Sequence, residues 1–214
     1  MTGQADLAVT RRSLHGVAEL LLAGPQYQAT GTMRLAVVPG GFGTTREPWL
    51  LVDGVRVSAG AGVVIADIDG RTPRELGAEL GVPAGPPAGA YADGSGVGLD
   101  DTLTVDPDET AVIMTALSRG QQALGAFAPD QVPVLWPEHF DLAIRVQETN
   151  FGVSPGDGFL GEPYAYIGVA SAPVGDAFWN APFGAAVPLR ELTDGPAVAG
   201  FFADGRARLG GGPR

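Results

Sequence analysis

The feature that most constrains the fold is an order of short segments that occurs twice along the chain. The first copy runs through RLAVV, GGFG, EPWLLVDG and PRELG, and the second through DLAIRV, TNFG, EPYAYIG and LRELT. The Glu-Pro-aromatic and Arg-Glu-Leu segments begin at residues 47 and 74 in the first copy, and at residues 162 and 190 in the second. The matching order and the nearly equal spacing predict an internal duplication.

A duplication of this kind predicts a fold made of two related halves. We assign residues 1–81 to the first half and residues 101–214 to the second, with the Gly/Pro-rich residues 82–100 as connector. Phe42 and Phe151 occupy corresponding positions in this comparison. Neither half has enough strand to bury its apolar face alone, so the halves are expected to form one compact unit. The predicted class is α+β, with a mainly antiparallel sheet, packed helices and pseudo-symmetric helix-plus-strands halves.

Three helices are indicated by apolar spacing and by their start signals. Apolar side chains recur at helical spacing over residues 6–23, and Gly24-Pro25 is expected to end that helix. Thr72-Pro73-Arg74-Glu75 is a capping box with proline at the first helical position. Asp106, followed directly by Pro107, predicts the start of a further helix.

Composition and charge exclude several classes of function. The formal net charge is −11, and the 13 basic side chains are all arginine. Binding to nucleic acid or to an anionic membrane surface depends on clustered cations, so neither partner is expected. The absence of cysteine excludes thiol nucleophiles and disulfides. Neither a signal peptide nor a membrane span is recognisable in the sequence, and we therefore expect a cytoplasmic protein.

The candidate catalytic residues are His139 and Asp141. If HFDLAIRV is a strand, alternate side chains share a face, and His139, Asp141 and Arg145 lie on the same side. Asp141 could then orient the imidazole of His139 for acid–base chemistry. Arg145 could hold an anionic ligand or neutralise Asp141. The alternative is structural, in that the pair fastens the turn at Pro137 to the sheet.

Polar and aromatic side chains near this strand are the candidates for a small-molecule pocket. They belong to the strand, to the long turn ETNFGVSPGDGFLGEP and to the segments that follow it. Together with Arg145, the ligand-binding candidates are Trp136, Glu138, Asn150, Asp157, Glu162, Tyr164, Tyr166 and Trp179. For Asp157 the competing interpretation is hydrogen bonding within its own turn, and for Tyr164 it is packing in the core.

Three classes of function stay open at this point. The leading hypothesis is binding of a small molecule in a pocket near the His139 strand. The second is an enzyme that uses His139 and Asp141 for proton transfer or hydrolysis. The third is a structural module that forms a homodimer through an exposed patch of Phe178, Trp179 and Phe183.

Neither a metal nor a cofactor is predicted. A zinc site needs three or four nitrogen or sulfur ligands, and the chain offers one useful histidine and no cysteine. Asp67-Ile68-Asp69-Gly70 resembles the opening of a calcium loop, but Glu79 comes too early for the closing position. His15, inside the first predicted helix, is interpreted as a surface or packing residue.

The second half carries one resemblance. The segments LWPEHFD, NFGVSPGD and EPYAY resemble a group of uncharacterised conserved actinobacterial proteins, most specifically over residues 131–184. The resemblance implies a cytoplasmic protein of actinobacterial origin. It implies no activity, and it adds no catalytic or binding residues to those named above.

Overall fold

The computed structural model describes residues 3–60, 63–171 and 176–210. Its chain forms two compact units. The first comprises Met1–Thr115 and Val134–Phe140, and the second comprises Ala116–Pro133 and Asp141–Arg214. Residues 82–100 therefore belong to the first unit.

The first unit begins with a long helical run whose middle is wider than an α-helix. Helix α1 (Gly3–Gly16) continues into a π-helical segment (Val17–Ala23) and then into α2 (Gly24–Thr30). The expected end at Gly24-Pro25 is wrong, and the run instead ends at Gly31, which has a left-handed φ of 74°. The Gly24 N–H bonds the carbonyl of Glu19, five residues back, and this wide turn accommodates the proline.

The connector over residues 82–100 lies against this π-helical segment. Pro25 has no N–H, so the carbonyl of Leu20 receives no bond from it and accepts one from the Gly85 N–H at 2.8 Å instead. The buried carboxylate of Glu19 accepts from the backbone N–H of Ser95 at 2.8 Å and from its hydroxyl at 2.5 Å. The break in the helical hydrogen bonding is thus the place where the connector is fastened.

Six antiparallel strands follow in the first unit. Their order across the sheet is β6-β1-β2-β3-β4-β5, with Leu35 of β1 opposite Leu135 of β6. They are β1 (Leu35–Val38), β2 (Gly41–Thr44), β3 (Leu50–Asp53), β4 (Arg56–Ala59), β5 (Val64–Asp67) and β6 (Val134–Trp136). Helix α3 (Pro73–Leu80) starts at the predicted capping box, which is confirmed by reciprocal bonds between Thr72 and Glu75.

The core of the first unit combines the helical run with one face of these strands. Leu50 and Val52 of β3 are buried whereas Leu51 and Asp53 between them are exposed, as strand alternation requires. The largest fully buried side chains include Leu14, Leu21, Leu35, Phe42 and Phe140.

The described residues of the second unit form four antiparallel strands, the C-terminal part of one helix and a second helix. The strands are β7 (Asp141–Val146), β8 (Thr149–Ser154), β9 (Tyr164–Gly168) and β10 (Gly184–Pro188), paired in that order. Helix α4 (Pro107–Phe127) starts in the first unit and ends in the second, and α5 (Gly195–Gly210) follows β10. The cap predicted at Asp106 is confirmed, because its carboxylate accepts from the N–H groups of Asp108 and Glu109.

The two faces of this four-stranded sheet differ in character. The apolar face carries Phe151, whose ring packs 4.7 Å from that of Phe127 and 5.8 Å from that of Phe202. On the opposite face, the register places Gly152 of β8 beside Tyr166 of β9. That opposite face, from here on the polar face, contains Asp141, Ala143, Arg145, Asn150, Gly152, Ser154, Tyr164, Tyr166 and Ala186.

The fold class predicted from the sequence is confirmed: the chain is α+β with a mainly antiparallel sheet. In each unit the corresponding phenylalanine lies on the central strand of three, with Phe42 between Val37 and Val52, and Phe151 between Ile144 and Ile167. The pseudo-symmetry of the halves stays a prediction. Within the described part of the chain, no helix combines the length and the apolar character needed to cross a membrane.

Candidate functional site

His139 is not part of a strand. Strand β7 begins at Asp141, and His139 lies in the preceding turn with 69% of its side chain exposed. Phe140 between them has a left-handed φ of 54°. Strand alternation therefore does not place His139 beside Asp141, and this step of the sequence argument is wrong. His139 belongs to the first unit and Asp141 to the second, so the catalytic pair itself stays a prediction.

Asp141 lies on the polar face of the second unit and is buried there. The Tyr166 hydroxyl on β9 donates a hydrogen bond to its carboxylate. Tyr166 reaches this position across Gly152, since a Cβ on that glycine would stand only 2.6 Å from the tyrosine ring. Glycine is needed at position 152 because the side chain of any other residue would displace the ring.

Tyr164 forms the second pair of this kind. Its hydroxyl donates to Asp157 Oδ2 at 2.5 Å, and Asp157 Oδ1 accepts from the N–H groups of Phe159 and Leu160 at 2.8 and 3.1 Å. The expected turn hydrogen bonds of Asp157 are therefore present together with the contact to Tyr164. Tyr164 is itself buried, with 3% of its surface exposed.

Both tyrosine hydroxyls stay protonated at neutral pH. Burial raises the pKa of Tyr164 well above its usual value, and the hydrogen bond to Asp157 raises it further. Burial also raises the pKa of Tyr166, with the nearby charge of Asp141 as the next cause. A phenolate beside either carboxylate would bring two negative charges together in a site of low polarity.

Four aromatic rings on this side of the unit contact one another in a closed series, which we call the aromatic cycle. Its members are Phe159, Tyr164, Tyr166 and Phe183. Taken in that order and back to Phe159, neighbouring ring centroids are 5.9, 6.2, 6.2 and 5.0 Å apart. The planes are inclined by 56° to 83°, so the edges of some rings face the flat surfaces of others. Phe159 keeps 47% of its surface exposed.

The remaining candidates of the second unit lie outside the aromatic cycle. Arg145 forms an ion pair with Glu148 at 2.6 Å, and Asn150 is exposed on the neighbouring strand. Glu162 pairs with Arg190. Trp179 packs 5.0 Å from Phe178, and within the described residues its buried indole Nε1 has no hydrogen-bond partner.

Two candidates, Trp136 and Glu138, belong to the first unit. The guanidinium of Arg34 stands 5.8 Å from the centre of the Trp136 ring. Glu138 Oε1 lies 3.9 Å from His139 Nε2. Of the nine ligand-binding candidates, the structure thus brings together Asp157, Tyr164 and Tyr166, and adds Asp141 to them.

Sequence reasoning missed Phe159 as a member of the site and assigned Phe183 to an exposed patch. Phe183 is half-buried and contacts Tyr166 and Phe159, and Phe178 is half-buried against Phe201. The patch expected from Phe178, Trp179 and Phe183 is therefore not fully exposed. The one available signal for Phe159 was a large apolar side chain within the Gly/Pro-rich turn SPGDGFLGEP.

A second group of titratable side chains, also missed, lies in the first unit around His15. Its Nε2 is 2.7 Å from the carbonyl of Pro137, and its ring stacks on Phe140 at 5.5 Å. Because a carbonyl is an acceptor, Nε2 carries the proton and Nδ1 of the neutral ring is the acceptor. The spacing of His15 and Glu19, four residues apart on a helix, was the sequence signal.

His15 is expected to destabilise the fold when the solution is acidified. Burial lowers its pKa below the usual 6.5, more than the hydrogen bond to Pro137 raises it. The unfolded chain therefore binds the proton more readily than the folded chain does. The stabilising effect of the neutral ring is complete above pH 6.5 and is lost as the pH falls below that value. Between about pH 7 and about pH 5, the free energy of unfolding should fall more steeply for the wild type than for His15→Phe. Chemical denaturation at several pH values measures this decrease. An equal decrease for the two proteins would contradict the prediction.

Among the residues that the structure describes, no group of three or more His, Asp or Glu side chains is arranged to hold a metal ion. Comparison of the chain with family models, curated proteins and solved structures gives no significant match. The fold and the aromatic cycle thus define an α+β protein with one candidate binding site, and the resemblance to actinobacterial proteins stays a prediction.

Proposed function

We propose that this protein binds a small molecule at the aromatic cycle of its second unit. The observation that carries the proposal is the closed series of four rings, two of which hold their hydroxyl groups against carboxylates. Small-molecule sites combine aromatic walls with a few fixed polar groups in this way. The site lies on the polar face that begins with Asp141, the first residue of β7.

Packing of the core accounts for Tyr164, which is buried, but not for the other three rings. The apolar face of the same sheet already buries Phe151, Val153 and Ile167 against the helices. The aromatic cycle lies on the other face, where Tyr166 and Phe183 are half-buried and Phe159 is 47% exposed. An exposed ring next to two half-buried rings and the carboxylates of Asp141 and Asp157 favours recognition of a ligand over stabilisation of the fold.

The proposal predicts that Phe159→Ala weakens ligand binding while the protein stays folded. The ring is a wall of the site, yet with 47% of its surface exposed it contributes little to stability. A library of small molecules would be screened by ligand-observed NMR against the wild type, and the compounds that bind would be tested again with the variant. We expect their affinity to fall at least about tenfold.

Trp49→Ala is the matched control, since Trp49 is an aromatic residue of the first unit with 54% exposure. Compounds that bind the wild type should bind this variant unchanged. The proposal fails if no compound binds the wild type, or if the compounds that bind do so equally well with and without the Phe159 ring.

An enzyme that transfers protons through His139 is the second candidate. Two observations favour it: the ring of His139 is 69% exposed, and Glu138 Oε1 lies 3.9 Å from its Nε2. A carboxylate in that position can orient an imidazole, with Asp141 as the alternative partner. Hydrolysis of chromogenic esters and phosphates by the wild type, compared with His139→Ala, separates this function from ligand binding.

A further inference from the structure

We infer that the ligand of the aromatic cycle is an organic ammonium ion. This inference rests on the proposed function and names the chemical class of its ligand. Three features of the site support it: which hydrogen-bonding groups are already used, which charges are present, and what the ring surfaces attract.

The hydroxyl protons of both tyrosines are already used within the site. The Tyr164 hydroxyl proton is directed to Asp157, and the Tyr166 hydroxyl proton to Asp141. In the adjoining turn, the N–H groups of Phe159 and Leu160 donate to Asp157. The N–H group of Gly156 donates to the hydroxyl of Ser154. The Tyr164 oxygen also accepts from the Ser154 hydroxyl, and what the Tyr166 oxygen retains are lone pairs, which can only accept. A ligand that binds them must therefore bring its own donors or a positive charge.

The charge of the site is negative. Asp157 is held by two backbone N–H groups and the Tyr164 hydroxyl, none of which is charged. The described arginines of the second unit bond or stack elsewhere. Arg119 binds backbone carbonyls, Arg145 pairs with Glu148, Arg190 with Glu162, Arg206 stands over Phe127, and Arg208 pairs with Asp176. An anionic ligand would meet a carboxylate without a compensating cation.

The ring surfaces attract the same kind of ligand. The flat face of an aromatic ring carries partial negative charge and binds cations within about 6 Å of its centre, which is how quaternary ammonium groups are recognised. Phe159, Tyr164, Tyr166 and Phe183 are grouped with neighbouring centroids 5.0 to 6.2 Å apart, and Phe159 keeps 47% of its surface exposed to a ligand. A trimethylammonium or protonated amine group therefore complements both the rings and the carboxylate of Asp157.

Choline and its neutral carbon isostere, in which a tert-butyl group replaces the trimethylammonium group, test this inference. The two probes have the same shape and hydroxyl group and differ in charge. Binding to the wild-type chain would be followed by NMR chemical shifts. We expect choline to bind at least about tenfold more tightly than the isostere. Glucose serves as a third probe, because aromatic rings with carboxylates could also bind a sugar.

Two variants locate the interaction. Phe183→Leu keeps an apolar side chain but removes one ring face, and it should weaken choline binding about tenfold. Asp157→Asn removes the charge and should also weaken choline. Phe178→Leu is the matched control, because Phe178 is a half-buried ring of the same unit outside the aromatic cycle. Its affinity for choline should match that of the wild type.

The outcomes separate this inference from the proposed function. Equal binding of choline and its isostere, a preference for glucose, or library compounds that bind without any cationic centre would overturn the ammonium class while binding at the site stands. If no library compound binds the wild type, both proposals fail. If choline binds Phe183→Leu and Asp157→Asn as tightly as it binds the wild type, its site lies elsewhere and the inference is wrong.

Discussion

Replacing Gly24 with alanine is expected to reduce the free energy of unfolding by about 3 kcal/mol. A Cβ at this position would overlap the backbone carbonyl oxygen of Gly85, and a backbone atom cannot move aside by changing rotamer. The connector would have to leave the helix, which would break the bond from the Gly85 N–H to Leu20. Chemical denaturation of the purified variant measures the loss.

The same substitution at Gly125 is the control, because it should act in the opposite direction. Gly125 lies within helix α4, and a Cβ there would meet no atom within 4 Å. Alanine is the better helix former, so Gly125→Ala should stabilise the protein by about 0.5–1 kcal/mol. If Gly24→Ala were stabilising as well, the close approach of Gly85 to the helix would be refuted.

Phe151→Ala should cost about 3–5 kcal/mol, the range typical of a phenylalanine removed from a packed core. Phe151 is 1% exposed, and its ring is within 6 Å of those of Phe127 and Phe202, at 4.7 and 5.8 Å. The cavity would lie between the central strand β8 and the helices of the second unit, where the packed strands limit relaxation. Thermal and chemical denaturation would both report the loss.

Val132→Ala provides the comparison for this substitution. Val132 is 82% exposed, so shortening its side chain should change the free energy of unfolding by less than about 0.5 kcal/mol. A cost below about 1 kcal/mol for Phe151→Ala would mean that the site collapses around the missing ring, and that the aromatic packing of the second unit is less important than its geometry indicates.

Local rules predicted the fold class and two helix starts, because strand alternation and capping depend on neighbours in the sequence. The capping box at Thr72 and the cap at Asp106 are examples. The end of the first helical run could not be predicted in this way. Pro25 is tolerated because of a wide turn and a bond from Gly85, which is distant in the chain.

The candidate site was predictable in part for the same reason. Tyr164 and Tyr166 share a face because β9 is a regular strand, and alternation suffices to place them together. The position of His139 was wrong because Phe140 adopts a left-handed conformation while its ring is buried against His15 and Phe42. Tertiary packing overrides the strand pattern there. Phe159 and Phe183 lie outside the strands, and no periodicity encodes the path of such segments.

The connector is fixed to the π-helical segment at two points, Gly85 and Ser95. Between these two points, Ala88 and Gly89 are exposed. Changes of length at this stretch leave both attachments in place, and lengthening a surface loop costs little entropy. The stretch at Ala88 and Gly89 is thus where a fluorescent reporter or an affinity tag can be inserted without disturbing the helix beneath it.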